Sequence, residues 1–297
     1  MSNKVLVSGF TFIKNGLSLG YPIKESIESI EPLCDEVIIN VGFDDKELKK
    51  DDGTYNYLKN HFTHKKFKFL KSYWDPRRTE QGLVLSDQTN IALKECQGSI
   101  CQYIQGDEVL HEKDLHIIHD AHMNMIEDPT TEGIVFNFTH FYGNTNVIKK
   151  TRNTYRSEVR TVRNLKSVVS HLDAQGFRHQ DGRKLNCRKI NAGIYHYGWA
   201  RPTAVMKKKI KAMDKLYHGQ SYDVSDKFSY KRIWGLRPFS GQHPIVVQEW
   251  VKQNQTELDI LSLKMHFEFK DLGLVFSDFV ESLTGIRIGE YKNYKLI

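Results

Sequence analysis

The chain has 297 residues, 43 of them Lys or Arg against 36 Asp or Glu, which leaves a net charge of +7. Hydrophobic residues make up 39% and charged residues 27%, with a mean hydropathy of −0.52, so the composition supplies a core and excludes a globally disordered chain or an integral membrane protein. No run approaches the ~20 apolar residues a spanning helix needs, and the basic excess favours anionic partners without choosing among nucleotides, phosphorylated lipids and nucleic acid.

The first hundred residues alternate between short β-rich runs and helical patterns, which predicts βαβ units and a largely parallel sheet. Lys4 to Ile13 reads as the first strand. A helix follows, with Pro22 in its first turn and Ile23, Ile27, Ile30 and Leu33 recurring at three- and four-residue steps. Glu36 to Val41 is the second strand, breaking into Gly42-Phe43-Asp44-Asp45. A short helix around Tyr55 to His61 and a third strand from Lys66 to Trp74 come next. Thr79 to Cys96 has helical periodicity, and Gly98 is expected to end that helix. A fourth strand, Ser99 to Ile104, runs into Gln105-Gly106-Asp107-Glu108. Gly133 to Gly143 alternates like a strand with one buried face, Pro202 to Tyr217 is a basic amphipathic helix, and Ile245 to Asn254 is helical after the loop-like Trp234 to His243. The tail from Thr256 has three open roles: covering the active site, dimerisation or docking on a membrane. The four cysteines (Cys34, Cys96, Cys101 and Cys187) form no CxxC pair and read as buried thiols. The N-terminal MSNKVLVSGF has no long apolar region or small-residue cleavage site, so a cytoplasmic protein is expected.

The acidic pair Asp107-Glu108 lies at the carboxyl end of an apolar strand, beside a glycine that admits close ligand approach. In open α/β sheets that edge is where ligands bind. Carboxylates there suit Mg²⁺ or Mn²⁺, which take one or two protein oxygens and leave phosphates and water to complete the shell. The second segment of note is Gly193-Ile194-Tyr195-His196-Tyr197-Gly198-Trp199-Ala200-Arg201-Pro202, which delivers a histidine among aromatics.

The run Thr89-Asn90-Ile91-Ala92-Leu93, then Gly98, then Cys101 to Ile104, then Gln105-Gly106-Asp107-Glu108, resembles the family 2 glycosyltransferases. The resemblance covers roughly residues 1 to 200 and is strongest from 86 to 112. Gln105 stands where the family has the first Asp of its motif, and Thr89 where it has an Arg. The resemblance implies a GT-A fold: a mixed, mainly parallel α/β sheet flanked by helices over residues 1–250, with a nucleotide-binding half (1–112), an acceptor-binding half (113–250) and a C-terminal helical extension (251–297). It implies an inverting, metal-dependent transfer of a sugar from a nucleotide-diphosphate donor to a glycan or lipid-linked acceptor. On that pattern Asp107 and His196 hold Mn²⁺ or Mg²⁺. Phe10, Asp44, Asp45, Asn90, Gln105 and Arg201 belong to the nucleotide site, Gln105 toward the ribose and Arg201 toward the diphosphate. His140 and Tyr142 face the acceptor. Asp173 is the first candidate for the catalytic base, with Asp181 and Glu158 as alternatives.

The basic run Arg152, Arg156, Arg160, Arg163 and Lys166 reads first as a solvated face. So does Lys207-Lys208-Lys209, facing water or an anionic membrane surface, and peripheral membrane contact is compatible with it. Two other readings stand beside the transferase: a sugar-nucleotide-binding pseudoenzyme that lost an acid at Gln105, and a basic nucleic-acid-binding protein. The latter is suggested by a pI of about 9.0 and 11% aromatic residues, but no recognised motif supports it and no nucleic-acid partner is expected.

Overall fold

Strand runs of seven and eight residues that are apolar at nearly every position, joined by helices, can bury both faces only if helices cover the sheet. The computed structural model, which describes residues 5–78, 80–219, 221–222 and 227–297, has that arrangement in its first half. It contains β1 (Val7–Ile13), α1 (Ile23–Ile30), β2 (Glu36–Phe43), α2 (Thr54–His61), β3 (Phe67–Tyr73), α3 (Leu83–Lys94) and β4 (Ile100–Tyr103). Strands β3, β2, β1 and β4 lie side by side and all parallel. Every residue of β2 is buried, and Ile23, Ile27 and Ile30 pack α1 into the same core. Lys4 and Thr79, the expected starts of the first strand and the third helix, lie outside the described residues.

Gly98 does a different job from the one expected. Helix α3 ends at Lys94, and a Cβ on Gly98 would stand 2.7 Å from the backbone nitrogen of Ser8 and 2.9 Å from the carbonyl oxygen of Leu6. Only glycine lets the chain pass β1 this closely.

The second half adds β5 (Glu108–Leu110), α4 (Leu115–Glu127), β6 (Gly133–Tyr142), β7 (Asn144–Lys149), β8 (Ser157–Arg163), β9 (Val168–His171), β10 (Gly176–His179), β11 (Asn186–Trp199), α5 (Thr203–His218), β12 (Leu236–Pro238), α6 (Gln248–Gln253), α7 (Leu272–Thr284) and β13 (Lys295–Leu296). The main sheet runs β12-β7-β6-β8-β4-β1-β2-β3, with β11 alongside β6 and carrying β5 and β13. Beside β4 the pairing turns antiparallel, through β8, β6, β7 and β12. The expected mixed α/β sheet flanked by helices is therefore present. Strands β9 and β10 form a separate hairpin. The tail is tied to the rest by β13 on β11. No helix among the described residues is long and apolar enough to cross a membrane, and all four cysteines are buried and free.

Lys166 of the basic run at 152–166 is exposed, but Arg156, Arg160 and Arg163 are not on a solvated face. Strand alternation in β8 turns Arg160 fully into the core, while Arg163 donates to the carbonyls of Met125, Asp128 and Thr131 and Arg156 pairs with Glu281 and Glu290 of the tail.

His122 of α4 is fully buried, with Nε2 3.1 Å from Gln102 Oε1 and 3.2 Å from Thr161 Oγ1. Burial pushes its imidazole from the ordinary 6.5 down to about 4, with the charge of His119 acting the same way. Between those two values the unfolded chain binds a proton that the folded chain refuses, so stability falls as pH drops through that window. The expected loss from this residue is on the order of 3 kcal/mol. Urea titrations at pH 7.5 and 4.5 should show a smaller acid loss in His122→Gln than in the wild type; equal losses would remove His122 from this role.

Candidate active site

Backbone pairing brings the two signature segments together. The chain leaves β4 through Gln105-Gly106-Asp107 and returns as β5, which runs antiparallel to β11 with Glu108 opposite His196. The amide of Tyr197 donates to the carbonyl of Asp107 at 2.8 Å. Asp107 Oδ1 thus comes within 3.6 Å of His196 Nε2. Gly198 is what allows the approach, since a Cβ there would stand 2.5 Å from His196 Nε2 and 3.1 Å from Asp107 Oδ2.

A relay behind His196 sets its tautomer. His140 Nε2 lies 2.7 Å from the carbonyl oxygen of Tyr155, and a carbonyl only accepts, so that nitrogen carries the proton. Burial, reinforced by His196, pushes His140 down to about 3, so its other nitrogen, Nδ1, is an acceptor at neutral pH. It lies 2.9 Å from His196 Nδ1, which must donate. With Nδ1 committed to His140, Nε2 is the His196 nitrogen that faces Asp107.

The other oxygen of Asp107 faces cations. Lys209 Nζ donates to Oδ2 at 3.1 Å and to the Gly198 carbonyl at 2.8 Å. Arg201 Nη2 lies 3.8 Å from the same oxygen and makes no hydrogen bond, although Arg201 is fully buried. Its guanidinium stands 4.1 Å over the ring of Tyr21. Burial alone would raise the Asp107 carboxyl, but Lys209, His196 and Arg201 hold it well below the usual carboxylate range. Burial pushes Lys209 down to about 8 against the pull of Asp107.

Asp107, His196 and Lys209 line a cleft of about 620 Å³, together with Lys14, Tyr21, Asp44, Trp74, Gln105, Asp173, Trp199 and Tyr217. Asp44 pairs with Lys14, whose ammonium lies 5.5 Å from the Trp74 ring centre. Gln105 donates to the Ala174 carbonyl at 3.1 Å, tying the motif to the β9–β10 turn. In that turn Leu172 and Ala174, both at positive φ, flank Asp173, which accepts from Tyr217 Oη at 3.0 Å.

Of the residues singled out from sequence, the structure brings Asp44, Gln105, Asp107, Asp173 and His196 to this cleft, with Arg201 against Asp107. Others sit elsewhere. Asp45 caps its own loop, accepting from the amides of Lys49 and Lys50. Phe10 is buried between Tyr103 and Phe177. Asn90 accepts from the amide of Ser170 at 2.8 Å. His140 stands behind His196, and Tyr142 stacks behind Trp199 at 6.2 Å. Asp181 caps an exposed turn, and Glu158 is buried beside Gln175.

Lys209 is the residue that reading a solvated face missed. It lies three residues after the buried Met206, on the apolar stripe of α5, and that position was the available signal.

The donor set fits a divalent ion. A carboxylate oxygen and an imidazole nitrogen 3.6 Å apart are donor types that Mn²⁺ or Mg²⁺ accepts when diphosphate and water fill the remaining positions. Among the described residues no third His, Cys, Asp or Glu completes a protein-only cluster.

Glu108, the second acid of the motif, turns away from the cleft. It is fully buried and held by two hydrogen bonds from Arg160, Nε at 2.8 Å and Nη2 at 2.7 Å. It also accepts from the amide of Gln105 at 3.1 Å.

No family model matches the chain, and no curated protein matches it by sequence. Solved structures similar to it include residues 1–349 of TarS from S. aureus, at 12% identity and a TM-score of 0.37 over 74% of this chain and 67% of that one. The same fragment in complex with UDP-GlcNAc is 13% identical, with a TM-score of 0.37 over 74% of this chain and 68% of that one. Mannosyltransferase PcManGT from Pyrobaculum calidifontis, in complex with GDP-Man and Mn²⁺, is 18% identical, with a TM-score of 0.31 over 48% of this chain and 36% of that one. The match covers 39% of the longer TarS chain. Likenesses this weak carry neither residues nor activity across.

Removing one partner of the Glu108–Arg160 pair leaves a buried charge unanswered. Arg160→Met is expected to cost about 3–5 kcal/mol in urea unfolding, and the double variant Glu108→Leu/Arg160→Met to recover much of that loss. A loss below about 1 kcal/mol in the single variant would show that the pair does not hold this turn.

Proposed function

We propose that the protein is a metal-dependent, inverting glycosyltransferase that moves a sugar from a nucleotide diphosphate to a hydroxyl of a glycan or lipid-linked acceptor. The observation that carries this reading is the convergence of Asp107 with Nε2 of His196, beside Lys209 and an Arg201 donor without a partner, at the carboxyl edge of the parallel strands. Such an edge is where an α/β sheet binds nucleotides. Four groups of this kind suit a diphosphate, whose negative charge grows as the sugar leaves.

Each residue then has a task. Asp107 and His196 would hold the ion, which when bound would neutralise charge on the departing diphosphate. Arg201 binds diphosphate oxygens through its planar fork, and Lys209 adds a point charge. Asp44 and Trp74 face the nucleoside, and Gln105, whose amide nitrogen is held by the Ala174 carbonyl and Tyr103 Oη, offers its carbonyl oxygen to the ribose. Tyr217 fixes one oxygen of Asp173, leaving the other to take the acceptor proton. The acceptor oxygen attacks the anomeric carbon, the bond to the diphosphate breaks with its electron pair leaving on the diphosphate, and the configuration inverts. His140 orients His196 and does not itself meet the acceptor.

One observation favours the pseudoenzyme as a second reading: Lys209 Nζ engages Asp107 Oδ2 at 3.1 Å, an oxygen of the proposed metal ligand. The two readings differ in turnover and agree on nucleotide binding.

Thermal-shift and calorimetric titrations of UDP, GDP, CDP and TDP, with and without Mn²⁺, test the reading. One nucleotide should raise the melting temperature in the presence of Mn²⁺, a stabilisation of about 2.7 kcal/mol at a ligand concentration of a hundred times Kd, and Asp107→Ala should abolish the shift. Binding to none of the four would end the transferase proposal. With the donor known, Asp173→Asn should lower kcat by about 10²–10⁴ while leaving nucleotide affinity unchanged. Unchanged turnover would move the base to another residue.

A further inference from the structure

Helix α7 is amphipathic in the inverse sense for a surface helix. Three of its polar residues face the protein: Ser277 is buried and donates to the Ile288 carbonyl, Asp278 accepts from the indole of Trp234 at 2.8 Å, and Glu281 pairs with Arg156 and Arg287. Its apolar residues face outward. Leu272, Phe276, Phe279 and Leu283 are 49%, 62%, 60% and 70% exposed, at the i, i+4, i+7, i+11 spacing of one stripe. Phe269 before the helix and Ile286 after it extend the stripe, at 89% and 65% exposure.

At the helix's C-terminal end lies a polar pocket of about 550 Å³ lined by Arg156, Lys184, Arg287 and Lys292, with Glu290. Glu290 is held by Arg156 at 2.9 Å, and Glu281 by Arg287 at 2.8 Å, so the carboxylates here are engaged. Lys184 donates to the Lys292 carbonyl at 2.6 Å, and the Lys292 side chain stands exposed.

We propose that this face docks on an anionic lipid bilayer, the stripe of α7 entering the acyl boundary while Lys184 and Lys292 bind lipid phosphates. Charge decides against a second copy of the chain as occupant. A self-complementary dimer that pairs this pocket with itself would turn each copy's cations toward the other's, with Glu281 and Glu290 already engaged by Arg287 and Arg156. An anionic surface answers both the stripe and the pocket, and the chain's net charge of +7 draws it there. At 13 residues, about 20 Å, α7 lies in the interface plane and does not span. The docking is separate from the chemistry of the cleft and stands or falls independently of it.

The test is co-sedimentation of the full chain with sucrose-loaded vesicles of phosphatidylcholine alone or with about a third phosphatidylglycerol, alongside light scattering for mass. The chain should sediment with the anionic vesicles and weakly with the neutral ones. Phe276→Ser/Phe279→Ser should weaken binding by about tenfold or more, and Lys184→Gln/Lys292→Gln several-fold, as added salt does. Because the stripe faces outward, the melting temperature and nucleotide binding in the cleft should not change. If the aromatic variant is unstable, Leu283→Ser replaces it and is read in the same way. A chain that stays in the supernatant, or binding that the stripe variants leave intact, overturns the proposal. So does a dimer that those variants dissolve, which would give the face to a second copy.

Discussion

The buried ion pair between Glu108 and Arg160 is the contact on which the cleft depends. Arg160 reaches from β8 through the core, stands over the rings of Tyr103 and Phe138, and holds both oxygens of Glu108. Its Nη1 also donates to the carbonyl of Gln175 at 2.8 Å. One guanidinium therefore ties the turn that presents Asp107 to the turn that presents Asp173. A fully desolvated pair is a poor source of net stability compared with packed hydrocarbon, yet it tolerates no loss of a single partner. Its value here is positional, because the bidentate geometry fixes both turns against one planar group.

Asp107 then does what Glu108 cannot. Asp107 closes the turn out of β4 while Glu108 begins β5, so the pairing of β5 with β11 carries Glu108 into the core and leaves Asp107 at the cleft. There Asp107 divides its oxygens, one toward His196 Nε2 and one toward Lys209 and Arg201. Two cations thus meet one carboxylate at this point of the cleft, an arrangement that suits a diphosphate. The relay from the Tyr155 carbonyl through His140 to His196 Nδ1 fixes which imidazole nitrogen faces Asp107.

The tail follows a different logic. It is attached by charge and by a short strand, through Arg156, Arg287 and β13, and it leaves its hydrocarbon outward. Surface helices on a protein free of partners bury that face, and the inversion in α7 is a property of the tail's attachment rather than of its composition.

Much of this was written in the local pattern. The βαβ alternation, the placement of Pro22 and the isoleucines of α1, the apolar strand ending at Gln105-Gly106-Asp107 and the aromatic-flanked His196 are all readable from spacing, because helix and strand periods are local. What lies across the sheet is not local. Nothing in the order of residues announces that Lys209, in a run of three lysines, turns onto Asp107, that Arg160 is buried while its neighbours Arg156 and Arg163 take other partners, or that Asp45 caps a loop while Asp44 lines the cleft. Those outcomes depend on strand register and on which face of a helix the sheet covers, and both are set by contacts between segments distant in the chain. The sequence by itself determined the elements and the chemical types available at the sheet's edge; only the tertiary structure decided which charges meet, because burial and pairing are properties of neighbours in space.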